Sequence, residues 1–98
     1  MPIELRYVDP RELRPPASRP VADPAKLARQ IAKYGASAEG MPPLVCLESV
    51  DGILVVYDGV TRATRIAKLA PGTLVPVEIQ GRLQRPRRSD PTIGDTLP

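Results

Sequence analysis

The sequence predicts a small α+β domain: one mixed β-sheet with two main helices. Three observations lead there. The chain has 98 residues, enough for one modest hydrophobic core and too few for two. Apolar patterns typical of strands alternate with two helix-period segments, in the order strand, loop, helix, hairpin, helix, strand. Proline and glycine fall at the boundaries of these segments rather than inside the helices.

Ile3-Glu4-Leu5-Arg6-Tyr7-Val8 alternates apolar and polar residues, the signature of a half-buried strand. Asp9-Pro10 stops it, and Arg11–Arg14 has room for one helical turn before Pro15-Pro16. An extended loop follows to Ala22. Asp23 is a good N-cap, and Pro24 suits the first helical position, where its missing N–H costs nothing. Leu27, Ile31 and Tyr34 then recur at helical spacing, with Lys26, Arg29 and Lys33 turned away, and Gly35 closes the helix. Residues 36–43 read as a loop. Leu44–Leu47 and Ile53–Tyr57 flank Asp51-Gly52, a hairpin signal. The second of these strands is apolar throughout, which predicts an interior position with both faces covered. Asp58-Gly59 opens the second helix, whose small apolar side is Ala63, Ile66, Ala67 and Ala70. Pro71-Gly72 ends it, and Leu74–Ile79 is the last strand, where Pro76 predicts an edge or a bulge. The domain is expected to span residues 1–81, with 82–98 a basic, proline-rich flexible tail.

Composition narrows the chemistry. Apolar residues make up 42% and charged residues 26%, ordinary for a soluble globular protein. There is no His and one Cys. That removes the His-dependent nucleophile arrangements, His-ligated zinc, any internal disulfide and any cysteine metal cluster. Cys46 lies in an apolar strand and reads as inert core. No run reaches the roughly 18 apolar residues of a membrane helix, and the N-terminus does not read as a signal peptide. A cytoplasmic protein is expected, with no membrane partner. Net charge is +3, but residues 1–81 hold ten Lys/Arg against nine Asp/Glu. The surplus sits in Arg82, Arg85, Arg87 and Arg88, either a nucleic-acid contact or a solubilising end.

The most informative stretch is Tyr57-Asp58-Gly59-Val60-Thr61-Arg62. A strand runs through a glycine turn into a helix whose first N–H groups lack helical acceptors, an arrangement that favours anions. Arg62 falls in that first turn, where the helix dipole disfavours a cation. An anion bridging the amides and the guanidinium would explain it, with the Thr61 hydroxyl as a further donor. The plainer alternative has Asp58 capping the helix and pairing with Arg62 four residues on. Arg65 and Arg19 read either as further ligand contacts or as solvated surface.

Several stretches, taken in order, resemble the ParB/sulfiredoxin-like domain (the ParB N-terminal or "ParB-like nuclease" domain). They are Leu13-Arg14-Pro15 with Arg19 downstream; Leu27 to Gly35; Pro43-Leu44-Val45; the Asp58-Gly59-Val60-Thr61-Arg62 box; and Leu69 with Val75-Pro76-Val77. Together they cover about residues 3–80. In that family the glycine-arginine box binds nucleotide phosphates, of CTP in partition proteins and of ATP in sulfiredoxin. The resemblance therefore implies Gly59, Thr61 and Arg62 as phosphate contacts, Arg19 reaching the same pocket, and CTP or ATP with Mg²⁺ as the ligand. Val60 and Thr61 stand where sulfiredoxin chemistry uses cysteine and histidine, and Val60 where partition proteins carry an acidic residue. Reductase activity is thus not expected, and a non-catalytic nucleotide- or phosphate-binding module, acting in DNA-associated regulation, is the leading expectation. Two alternatives stand beside it. One is a metal-assisted nuclease with Asp58 as the catalytic carboxylate; the other is a protein-interaction module that regulates a partner.

Overall fold

The computed structural model describes residues 3–98. Its order is β1 (Glu4–Val8), α1 (Pro24–Tyr34), β2 (Leu44–Ser49), β3 (Leu54–Asp58), α2 (Val60–Leu69) and β4 (Val75–Leu83), with single 3-10 turns at Pro10–Glu12 and Gly94–Thr96. The strands form one mixed sheet in the order β1-β4-β2-β3. β4 runs antiparallel to β1 and parallel to β2, and β2 and β3 make an antiparallel hairpin. The α+β architecture expected from the sequence is therefore what the chain adopts. Among the described residues no helix is long and apolar enough to cross a membrane.

Local chemistry places the elements. The Asp23 carboxylate accepts from the amides of Ala25 and Lys26 at 2.8 and 3.2 Å, with Pro24 in the first helical position. Gly35 ends α1 at φ 58°, a backbone angle that few other residues adopt. In the hairpin turn the Ser49 hydroxyl bonds both the N–H and the C=O of Ile53 at 3.1 Å. Val60, Ala63, Ile66 and Ala67 of α2 lie buried against Leu44, Cys46, Val56, Val75 and Val77 of the sheet. Small alanines on this side let helix and sheet approach closely. Burial also pushes the Cys46 thiol up to about 12, so at neutral pH it is a protonated core side chain. α1 lies more on the surface than its apolar spacing suggests: Leu27 is buried, Ile31 is half-buried and Tyr34 is exposed.

Two strand placements differ from expectation. β3 lies at the sheet edge, not inside it. Its apolar character fits nonetheless, because Arg14 closes that edge: the Arg14 N–H donates to Leu54 O at 3.0 Å, and Val56 N–H donates to Arg14 O at 2.8 Å. Pro76 lies in β4, a central strand, one position before β2 begins to pair. The bulge falls further on, where the partner of β2 steps from Ile79 to Gly81.

The largest correction concerns the C-terminus. β4 continues to Leu83, and the following segment is no flexible tail. It passes the hairpin turn, where the Asp51 carboxylate accepts from the amides of Arg87 and Arg88 at 3.0 and 2.9 Å. It then runs beside Arg14, whose guanidinium donates to the carbonyls of Arg88 and Asp90. Ile93 finally enters the core, 2% exposed, with its N–H on Leu13 O at 2.8 Å. One apolar side chain and a series of backbone bonds thus secure a polar, proline-rich stretch that has no periodicity to announce it.

Two outcomes follow for this segment. Ile93→Ala removes a fully packed side chain and is expected to cost about 2–4 kcal/mol in urea unfolding. Asp51 is held down from 3.8 to about 2, first by its bond from the Ser49 hydroxyl and then by the Arg88 and Arg87 amides. A carboxylate depressed in the folded state stabilises above its unfolded value and loses that contribution as pH falls through the folded one. Asp51→Asn should therefore be less stable than wild type at pH 7, and the gap should close between about pH 4 and pH 2. Urea midpoints measured across that range check it.

Candidate functional site

The turn from β3 into α2 opens on a cleft of about 430 Å³. Asp58, Gly59, Val60, Thr61 and Arg62 line one side, α1 lines the other, and Arg19 from the preceding loop completes it. Gly59 is the N-cap of α2 at φ 111°, and no side chain caps the helix. The amides of its first turn are thus left for solvent or a ligand. A Cβ at Gly59 would stand 2.6 Å from Leu44 Cδ2 and 2.8 Å from Arg62 Nη2. Backbone angle and space therefore both demand glycine, and the Arg62 guanidinium packs directly beneath the turn.

Arg62 is anchored loosely. Its Nη2 donates to Pro43 O at 3.4 Å, while its buried Nε has no partner. The Asp58 cap and the Asp58–Arg62 ion pair of the plainer alternative do not form among the described residues. Asp58 is the last residue of β3, exposed and opposite Val45, and among the described residues it takes part in no salt bridge. Arg62 is thereby left to face the cleft without an acidic neighbour that neutralises it.

The opposite wall comes from residues that the sequence reading set aside as merely turned outward. Lys26, Arg29 and Lys33 project from one side of α1 into the same cleft, beside Gln30 and Tyr34. With Arg19 and Arg62 that makes five cationic side chains around one opening, against Asp58 as the single acid. The signal was present as the Lys26/Arg29/Lys33 spacing, which places three charges on one helical face. What the spacing lacks is the identity of the element facing it. Such a focus of one charge sign attracts anions.

Arg65, expected among the ligand contacts, has another task. It is 2% exposed and lies behind the cleft. Its Nη1 donates to Gly35 O at 2.8 Å and to Ser37 O at 2.7 Å, and its guanidinium stands 5.3 Å from the Tyr34 ring centre. Burial lowers its pKa from the ordinary arginine value, with Tyr34 opposing the shift. A cation beside Gly35, the C-cap of α1, complements that end of the helix dipole. Arg65 therefore sets where α1, and with it the cationic wall, stands relative to α2.

Two of the four C-terminal arginines pair with acids through their side chains. Arg82 bonds Glu48 at 3.3 Å, and Arg87 bonds Asp90 at 3.2 Å. The amides of Arg87 and Arg88 hold Asp51. Among the described residues there is also no group of three or more His, Cys, Asp or Glu side chains placed to hold a metal ion. No protein-family model matches this chain, and no curated protein matches it either.

Arg65→Met keeps the aliphatic stem and removes two hydrogen bonds from a charged donor, at an expected cost of about 1.5–3 kcal/mol in urea unfolding. Arg65→Lys should recover only part of that loss, because one ammonium does not reproduce the planar fork of donors.

Proposed function

We propose that this chain is a ParB/sulfiredoxin-like module that binds a nucleotide or another phosphorylated ligand in the cleft between α1 and the β3–α2 turn. The observation that carries the reading is the set of five cationic side chains converging there with one acidic residue. The uncapped first turn of α2 adds amide donors to the same opening. Arginine supplies paired N–H donors suited to phosphate oxygens, and lysine supplies point charges that can follow a flexible polyphosphate. The donor set fits the phosphates of CTP or ATP. A Mg²⁺ ion arriving with them would meet Asp58 as the only carboxylate of the cleft among the described residues, so it would ride mainly on phosphate oxygens.

The resemblance of the glycine-arginine box to partition-protein domains extends the proposal to DNA-associated regulation. A nuclease built on Asp58 has less support, since no second carboxylate lines the cleft beside it. A protein-interaction role that works through residues 82–98 also has less support, because that segment is engaged by the domain itself.

Calorimetric titration of the wild type and Arg62→Ala with CTP, ATP and GTP tests the proposal. Loss of a charge-assisted phosphate contact worth about 1.5–3 kcal/mol should weaken binding roughly 10- to 150-fold. Lys33→Ala should weaken a triphosphate more than the matching monophosphate. Equal heats from wild type and Arg62→Ala, or no heat from either, would remove the proposal.

A further inference from the structure

The two edges of the sheet are treated differently. β3 is closed by the backbone of Arg14. β1 pairs with β4 on one side only, and among the described residues no backbone hydrogen bond outside that ladder uses residues 3–8. An open edge is a template for another strand. Along β1 and the residue before it the exposed groups are ordered: Ile3, Leu5 and Tyr7 are 56%, 52% and 63% exposed and alternate with Glu4 and Arg6. Arg6 faces the side of the sheet where Glu48 lies, bonding it at 3.1 Å, and it also bonds Glu4. Ile3, Leu5 and Tyr7 thus belong to the opposite face, away from both helices.

We propose that β1 joins two copies of this chain, pairing antiparallel with itself about a two-fold axis at Leu5. The two four-stranded sheets then become one continuous sheet. Residues paired across an antiparallel ladder share a face, so the axis must pass through a residue and only a few registers are open. Centred on Arg6, the ladder would set Arg6 against its own copy and Glu4 against Val8. Centred on Glu4, it would set two carboxylates against each other. Centred on Leu5, every described pair is complementary. Leu5 meets Leu5, Ile3 meets Tyr7, and Glu4 of each copy meets Arg6 of the other. The apolar pairs then lie on the uncovered face. The charged pairs lie on the face that carries Glu48 and Arg82, and they extend the Arg6–Glu48–Arg82 ion-pair chain across the junction. This pairing is independent of the cleft, whose lining includes no residue of β1.

Sedimentation equilibrium on the full chain, from micromolar to millimolar concentration, tests the proposal. The mass should rise from 10.6 kDa towards twice that value. Glu4→Arg and Arg6→Glu each place like charges opposite one another and should remain monomeric. Mixed in equal amounts, the two variants are complementary and should recover the dimer. Circular dichroism confirms that each is folded. If Arg6→Glu does not fold, Leu5→Lys replaces it, and its two ammonium groups facing each other at the axis should abolish the dimer. Leu5→Cys should form a disulfide-linked dimer on mild oxidation, while buried Cys46 leaves the wild type unlinked. A wild type that stays monomeric throughout overturns the proposal. So does a dimer that survives Glu4→Arg and Leu5→Lys, which would place the contact elsewhere.

Discussion

A guanidinium removed from most of its water must find oxygen atoms that replace it, and Arg65 finds those of Gly35 and Ser37. The requirement is steep, because a buried cation without partners costs several kcal/mol. It ties the end of α1 to the body of α2 where apolar packing is thin, since α1 buries little besides Leu27 and part of Ile31. The cleft depends on that fixed distance. One wall is the glycine turn that begins α2, the other is the charged side of α1, and Arg65 is the tie behind them.

The same arrangement carries an internal cost. Five like charges around one opening repel one another, and water and salt screen them only in part. Lys26 also lies in the first turn of α1, where the helix dipole opposes it, whereas Lys33 in the last turn is favoured. Repulsion among these charges thus opposes the fold at the cleft, and an anion placed there would offset it.

How much of this was legible depended on how local the signal was. Asp23-Pro24 and Gly35 announced the limits of α1, Asp51-Gly52 announced the hairpin, and Gly59 announced the turn where the cleft opens. Each is a statement about a few neighbouring residues. Sheet order was not legible, because a two-residue period tells which face a side chain takes but not which strand lies beside it. Hence β3, apolar enough for an interior strand, could be mistaken for one until Arg14 was seen closing its edge. Arg65 misled for a related reason: an arginine on a helix is usually solvated, and its carbonyl partners lie about thirty positions away. The C-terminal segment concealed its role in a single residue, Ile93.

That residue has a bearing on how the protein comes into being. The core includes both Leu13 and Ile93, joined by a backbone bond, and the ladder of β1 with β4 likewise unites distant parts of the chain. During synthesis Leu44 and Val56 can already meet Val60, Ala63 and Ile66 of α2, whereas Leu13 has to wait for Ile93. Closure of the core waits for β4 and Ile93. Such distant contacts carry a loop-closure cost that must be met before they reward the chain, which slows folding in general.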